Sequence, residues 1–285
     1  MTVIPDRRDP LLLILICLIW SGNYFAIKGS LAYIDPNTLA LFRVLLGGLV
    51  VLAVGRVSFA SITKRALAWC AILGLFNSAL FLVFLNRGLT TVNSGVAATL
   101  VYTQPLIVAL GSPLAGEKLT RTKLLGVGAA FAGVVIVFLP SLSGSRPNGG
   151  DFYELGAAIS WAISILLFKK WNTTLDGFTV TGLQSVISSI FVLPFVFLGA
   201  PFLTPNVQLW GYLGYNILLG TGLAYVIYFT VLSRMKPSQF SSYLFLVPIF
   251  TILLQSIFTL SLPSLYELVG SLLVASGILI ANAFV

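Results

Sequence analysis

The ionisable and nucleophilic residues limit the chemistry before any fold is considered. There is no histidine, so the commonest general base and metal ligand is missing. Cys17 and Cys70 both lie inside apolar runs, which leaves no disulfide framework and no thiol metal site. The acids are Asp6, Asp9, Asp35, Glu117, Asp151, Glu154, Asp176 and Glu267. All are expected in tails, loops or helix ends, and none near the middle of an apolar run. The nearest thing to a phosphate loop, Gly111-Ser-Pro-Leu-Ala-Gly116-Glu117-Lys118, has Glu where Lys must follow the second glycine, so ATP is excluded as a driver. No nucleophile constellation is present, an enzyme is not expected, and no cofactor is implied. What remains is a set of amides, hydroxyls and aromatic rings at helical spacing. Asn77 and Phe81 are i, i+4, while Thr99 and Tyr102, and Tyr225 and Tyr228, are i, i+3, so each pair shares a helix face. Such faces suit a flat, partly polar small molecule. Aromatic residues also fill helix interfaces and membrane-water belts, and Trp69, Trp171, Trp210 and Tyr212 read as belt residues.

The elements that must hold these residues are membrane spans. The chain is 58% hydrophobic and 8% charged, against about 25% charged in a soluble domain. A helix needs about 20 mostly apolar residues to cross a bilayer core. Ten such runs stand near 11–31, 36–54, 66–86, 91–113, 121–139, 152–170, 178–198, 209–232, 238–260 and 264–284. Asp35-Pro36, Pro147-Asn-Gly-Gly150, Pro201 with Pro205, and Pro263 punctuate them. The runs are continuously apolar instead of alternating, which argues against a β-barrel. Arg7 and Arg8 before an apolar run resemble a signal peptide. The run continues past Trp20 with no small-x-small cleavage site, so an uncleaved first span is expected.

Lys and Arg set the orientation. With the amino terminus inside, twelve fall in cytoplasmic segments: Arg7, Arg8, Arg56, Lys64, Arg65, Lys118, Arg121, Lys123, Lys169, Lys170, Arg234 and Lys236. Three, Lys28, Arg87 and Arg146, fall outside, and Arg43 lies within a span. That bias puts both termini in the cytoplasm. It also explains the net charge of +8 without nucleic-acid binding.

The chain repeats itself. Trp20-Ser-Gly-Asn-Tyr-Phe-Ala-Ile-Lys28 recurs in outline 141 residues later as Trp161-Ala-Ile-Ser-Ile-Leu-Leu-Phe-Lys169. Asp35 and Thr38 align with Asp176 and Thr179 at the same offset, Pro105 with Pro248 at 143, and Gly126 and Gly133 with Gly270 and Gly277 at 144. The reading is two domains, 1–144 and 145–285, each of five spans. Five is odd, so the copies are inverted, a pattern associated with alternating access around a central site.

In these motifs the chain resembles the drug/metabolite transporter superfamily, in its ten-helix EamA-type branch. The matching residues are Leu18-Ile-Trp-Ser-Gly-Asn-Tyr-Phe-Ala-Ile-Lys28, Arg43 seven residues after Pro36, Pro105, Gly116-Glu-Lys-Leu-Thr120, Gly126 and Gly133. The second copy departs, with Thr259-Leu-Ser-Leu-Pro263 for the acidic-basic linker and Gln184 for Arg43. More finely, the chain looks like the bacterial aromatic amino acid exporters of that superfamily. The resemblance implies an all-α integral membrane protein with a cavity lined by spans 1, 3, 4, 6, 8 and 9, spans 5 and 10 acting as scaffold. Candidate cavity residues on those spans are Trp20, Asn23, Asn77, Phe81, Thr99, Tyr102, Trp161, Ser164, Tyr225, Tyr228, Ser242 and Tyr243. The expected function is export of small organic solutes across a bacterial inner membrane, aromatic amino acids first. Broad drug or organic-cation efflux is the alternative, and a pore would differ in not saturating. The expected partners are the solute and the lipid bilayer, with a monomer favoured and no nucleic acid.

Several residues keep two readings. Arg43 either tethers the second span to its neighbours or snorkels to the outer face. Pro105 and Pro248 either hinge or statically bend the fourth and ninth spans. The small-residue stripes Gly126, Ala129, Ala130, Gly133 and Gly270, Ser271, Ala275, Gly277, Ala281 fit close helix packing. The missing midplane carboxylate favours a facilitator or weakly coupled exchanger, unless Glu154 or Glu267 carries protons.

Overall fold

A computed structural model of the chain describes residues 7–57, 62–92, 94–143, 148–171, 173, 175–260, 262 and 264–282, but not the side chains at 94–96, 99, 137, 138, 140–143, 255, 258, 259, 267 and 282. Asp6, Arg146, Pro147, Pro263, the side chains of Thr99 and Glu267, and the expected boundary between 144 and 145 lie outside the described residues.

Among those residues the chain is all helical. In order the helices are α1 Asp9–Ser30, α2 Pro36–Val54, α3 Lys64–Leu73, α4 Phe81–Thr91, α5 Ser94–Val101, α6 Gln104–Gly111 and α7 Arg121–Ser143. They continue as α8 Gly149–Trp171, α9 Gly177–Phe197, α10 Val207–Gly214, α11 Ala224–Arg234, α12 Pro237–Tyr243, α13 Leu246–Thr259 and α14 Leu265–Asn282. A π-helical segment, Gly74–Leu80, joins α3 to α4, and another, Tyr215–Leu223, joins α10 to α11. Seven helical stretches are long and apolar enough to cross a membrane: Asp9–Ser30, Pro36–Val54, Lys64–Thr91, Gly149–Trp171, Gly177–Phe197, Val207–Arg234 and Pro237–Leu254. Gln104–Ala115 and Leu268–Ala281 are shorter apolar helices. Large apolar side chains such as Leu125, Phe152, Leu198 and Leu272 are exposed around the outside, as a lipid-facing surface requires.

Local chemistry fixes the helix starts. Asp35 accepts from the amides of Asn37 and Thr38 at 3.1 and 3.0 Å, with Pro36 as the first residue of α2. Proline suits that position because its missing N–H has no helical partner there. Asp176 caps α9 in the same way, accepting from the Thr179 amide and hydroxyl at 2.9 and 2.8 Å. Burial pushes the Asp176 carboxyl up, but these bonds outweigh it and hold its pKa below the usual carboxylate range.

The two expected mid-span prolines each follow a break in their helix. The helix ends before each of them, at Tyr102-Thr103 and at Leu244-Phe245. Pro105 and Pro248 then fall in the first turn of α6 and of α13. Both breaks are bridged by tight i→i−3 bonds, Thr103 to Leu100 and Leu106 to Thr103 in one, Phe245 to Ser242 and Val247 to Leu244 in the other. A proline ring clashes with the carbonyl four residues back, and here a two-residue break in the helical pattern precedes each proline.

Helices pair across the two halves. α7 lies along α14, α2 along α9, α4 along α8, and α1 against α11 and α13. The α7–α14 contact is backbone to backbone. A Cβ added at Gly126 would collide with the backbone of Ala281 and Gly277, one at Gly277 with that of Ala130 and Gly126, and one at Gly133 with Gly270 and Val274. Van der Waals contact at this range substitutes for a hydrophobic driving force that lipid does not supply. Gly128, on the same helix, has nothing within 4 Å of its would-be Cβ.

Gly126→Leu is therefore expected to destabilise the purified protein by about 1–3 kcal/mol or more, read as a lower thermal midpoint in detergent. Gly128→Leu should stay within about 0.5 kcal/mol of the parent. Equal midpoints for the two variants would refute the close-packed seam.

Candidate functional site

The repeat stretch brings its two tryptophans together at the centre of the bundle. Trp20 on α1 and Trp161 on α8 lie edge to face, with ring centroids 5.3 Å apart at 79°. Tyr225 and Tyr228 of α11 stand 6.0 and 5.8 Å from Trp20. Phe81 is 5.1 Å and Tyr102 6.2 Å from Trp161. Trp20 Nε1 donates to the Gly220 carbonyl at 3.1 Å, a carbonyl of the second π segment. Trp161 Nε1 donates to the Tyr228 hydroxyl at 3.1 Å. Each buried indole N–H thus finds an acceptor.

Around this cluster is a cavity of about 30 Å³ lined by Trp20, Asn23, Tyr24, Ile27, Arg43, Phe81, Leu85, Val101, Tyr102, Trp161 and Tyr225. That is room for about one water molecule. Its walls are almost wholly buried: Arg43 is 1% exposed and Tyr102 and Tyr225 are each 2%. The arrangement is an occluded one, too tight for an amino acid without movement of the aromatic walls.

Six expected cavity residues, Trp20, Asn23, Phe81, Tyr102, Trp161 and Tyr225, line the space. Asn77, Ser164 and Tyr228 form a hydrogen-bonded layer beside it. Ser164 Oγ donates to Asn77 Oδ1 at 3.1 Å, and the Tyr225 hydroxyl donates to the Asn77 carbonyl at 3.3 Å. Ser242 and Tyr243 do not line it; the Ser242 hydroxyl bonds back to Gln239 in its own helix, and the Tyr243 carbonyl accepts from Cys17 Sγ. Sequence reasoning passed over Tyr24, Ile27, Leu85 and Val101. Tyr24 and Ile27 are one and two turns beyond Trp20, and Leu85 is one turn beyond Phe81, so spacing from the residues already chosen would have found three of the four.

Arg43 neither snorkels nor forms an ion pair. Its Nε donates to Thr221 Oγ1 at 3.4 Å, and its Nη1 has no partner. Asn23 Oδ1 and Asn77 Nδ2 are also without partners. A guanidinium with an unused donor, an amide oxygen and an aromatic wall together offer a place for a carboxylate beside a ring. The described residues contain no cluster of three or more His, Cys, Asp or Glu that could hold a metal ion.

Both ends are closed by polar contacts between elements. At the α1–α2 end, Asp35 N donates to the Phe202 carbonyl at 3.1 Å and Thr204 N to the Tyr33 carbonyl at 2.7 Å. Asn37 Nδ2 donates to the Phe195 carbonyl at 2.8 Å. At the other end, Glu117 holds both Lys123 and the Ser238 hydroxyl, Arg234 Nη1 lies 3.3 Å from Asp9 Oδ1, and Lys169 Nζ donates to the Leu232 carbonyl at 2.9 Å.

The Trp161–Tyr228 bond can be isolated by a double-mutant cycle. Tyr228→Phe leaves the buried Trp161 N–H unpaired, at about 1–3 kcal/mol, while Trp161→Phe costs the Tyr228 hydroxyl one partner and leaves it Ser164. The double variant should cost less than the sum of the two, with a coupling of about 0.5–3 kcal/mol in thermal unfolding. Strict additivity would mean that the bond contributes nothing.

Comparison with known proteins is consistent along the whole chain. The model of the EamA-like transporter family matches residues 9–139 and matches again over 148–283. The chain is 29% identical to the uncharacterized transporter YvbV of Bacillus subtilis, over 99% of this chain and 94% of that one. It is 31% identical to the protein PecM of Dickeya dadantii, over 93% of this chain and 89% of that one. A crystal structure sharing 20% identity superposes with a TM-score of 0.82, covering 98% of this chain and 97% of its own, which speaks for the fold alone. With a buried aromatic cavity inside apolar helices, and a family model matched over nearly its full length, the chain belongs to the EamA-like transporter family and is a membrane transporter.

Proposed function

We propose that the chain is a ten-span transporter of two inverted five-helix repeats, 1–144 and 145–285, which exports amino acids by alternating access, aromatic ones preferred. The observation that carries the substrate class is Arg43, a buried guanidinium with an unpartnered Nη1 in an aromatic-walled cavity. A zwitterion with a ring fits both features. A cavity that already holds a buried cation disfavours the alternative, efflux of organic cations. Arg43, expected as a tether or a snorkelling residue, has its guanidinium in the cavity wall.

Support for the inverted repeat comes from equivalent contacts. Arg43 on α2 reaches Thr221 in one π segment, and Gln184 on α9 accepts from Ser78 in the other at 3.1 Å. Thr221 and Ser78 are 143 residues apart, within the drift that relates the two copies. The pairings α1–α13 and α8–α6 exchange under the same relation, as do the caps Asp35 and Asp176 and the breaks before Pro105 and Pro248. The double match of a single family model points the same way.

Orientation is tested by labelling. In the bacterial inner membrane, with both termini cytoplasmic, a cysteine at exposed Asn148 should react with an impermeant maleimide from outside, and one at Lys118 only from inside. Native Cys17 and Cys70 are buried and should stay silent. Reaction of both sites from the same side would defeat the inverted arrangement.

Substrate is tested by counterflow in proteoliposomes. L-Phenylalanine should exchange, and phenethylamine, which lacks the carboxylate, should not. Arg43→Gln should weaken phenylalanine by roughly 10- to 100-fold, the value of a charged hydrogen bond of about 1.5–3 kcal/mol. Tyr225→Ala should weaken it by roughly two- to tenfold, with a smaller effect on alanine, because only an aromatic solute loses a stacking wall. Exchange of phenethylamine in preference to phenylalanine would overturn the amino acid reading in favour of cation efflux.

A further inference from the structure

α8 carries a carboxyl where the interior of a bundle tolerates few. Glu154 was expected at a helix end, yet it is 0% exposed, and neither Oε1 nor Oε2 has a hydrogen-bond partner. It stands seven residues before Trp161, two helical turns and about 10 Å along the axis on the same face. Its carboxyl rests against Gly88 of α4, where the Cβ of any other residue would collide with it. Gly88 is thus what makes room for the acid.

The groups facing Glu154 are few. From α1 come Lys28 and Tyr24, and from its own helix Asp151, one turn earlier. Arg87 of α4 is engaged elsewhere: its Nε donates to Asn37 Oδ1 at 3.0 Å and its guanidinium lies 6.0 Å over the Tyr153 ring. Tyr24 lines the cavity and hydrogen-bonds with Tyr102, which lines it too. The acid thus stands near Tyr24, which with Tyr102 lines the solute space.

An ionised carboxylate buried without a partner costs several kcal/mol, and a neutral acid far less. We infer that Glu154 is the proton-binding site of the transporter, taking up a proton when the α1–α2 end opens to water and holding it, neutral, while both ends are closed. Resting on the transport reading above, this makes export a proton-linked exchange. A proton from the outer water binds Glu154, is carried as the outer end closes, and leaves through the cavity when the inner end opens. The solute moves the other way.

Two measurements on the full chain test this. The first uses no substrate and no variant. Dicyclohexylcarbodiimide, which adds to protonated carboxyls in apolar surroundings, is applied to the reconstituted protein across a pH series, and peptides are read by mass spectrometry. Glu154 should take the adduct more at pH 6 than at pH 9, while the Lys123-paired Glu117 stays unmodified. No adduct on Glu154, or one independent of pH, overturns the proposal.

The second measurement uses proteoliposomes with the voltage clamped at zero. A difference of one pH unit should drive about tenfold accumulation of L-phenylalanine at one proton per solute. Glu154→Gln, an isosteric neutral side chain, should lose that accumulation, and Asp176→Asn, which keeps a good helix cap, should retain it. Undiminished accumulation by Glu154→Gln overturns the proposal. If the parent protein does not exchange phenylalanine at all, the amino acid reading fails, and the carbodiimide result alone decides Glu154.

Discussion

Away from water, every backbone and side-chain polar group must find its partner inside the protein, and the interior of this bundle is arranged around that demand. Regular helices meet it along most of their length. Where the helical ladder is disturbed, a side chain from a neighbouring helix steps in. The π segment Tyr215–Leu223 presents the Gly220 carbonyl, and Trp20 Nε1 takes it. The π segment Gly74–Leu80 presents the Phe76 carbonyl, and Ser160 Oγ takes that at 2.8 Å. The irregular turns are thus the places where one helix is keyed to another, and both keys cross between the halves of the chain. They also surround the cavity, since Trp20 lines it and Asn77 of the first π segment supports Tyr225.

The same demand separates the helices into two kinds. α7 and α14 touch through glycine and alanine backbones and carry few polar groups to satisfy. Their contact has one close-fitting geometry. α1, α4, α8 and α11 meet through rings and hydrogen bonds, which have alternative partners and rotamers. Under the proposed alternating access, the rings and hydrogen bonds would rearrange while the glycine seam stays put. Pairwise polar contacts at each end, such as Asn37 with Phe195 and Arg234 with Asp9, can be exchanged for water when an end opens.

Much of this was legible in the sequence because the signals were long-range in composition and periodic in spacing. The apolar runs near 36–54, 178–198 and 209–232 match α2 Pro36–Val54, α9 Gly177–Phe197 and the stretch Val207–Arg234 to within two residues. The boundary at Asp35-Pro36 and the glycine stripes followed from local chemistry alone. The runs near 91–113 and 238–260 were legible only as runs. That each contains a break before its proline depends on whether the helix bends or restarts, and tertiary contacts decide that. The cavity list failed where residues had no distinguishing chemistry, as with Ile27, Leu85 and Val101. It erred for Ser242 because a hydroxyl on an expected cavity helix can instead bond to its own backbone. Glu154 was misjudged for another reason. Nearness to a helix start is a statement about sequence, whereas burial depends on Gly88 of a different helix leaving space for it.

Arg43 and Gln184, 141 residues apart in the sequence, contact the hydroxyls of Thr221 and Ser78 respectively. Only Arg43 borders the cavity and keeps a donor unused. A glutamine suffices to tether a helix to a hydroxyl, so tethering alone does not account for a buried cation. Retaining a charge in this position costs desolvation, and a cavity that admits a carboxylate recovers part of it whenever solute is bound. Gln184 faces Ser185 and Ser78 and does not border the cavity that Arg43 lines. Under the proposed function, the single arginine is what a carboxylate-bearing solute would meet in the cavity wall.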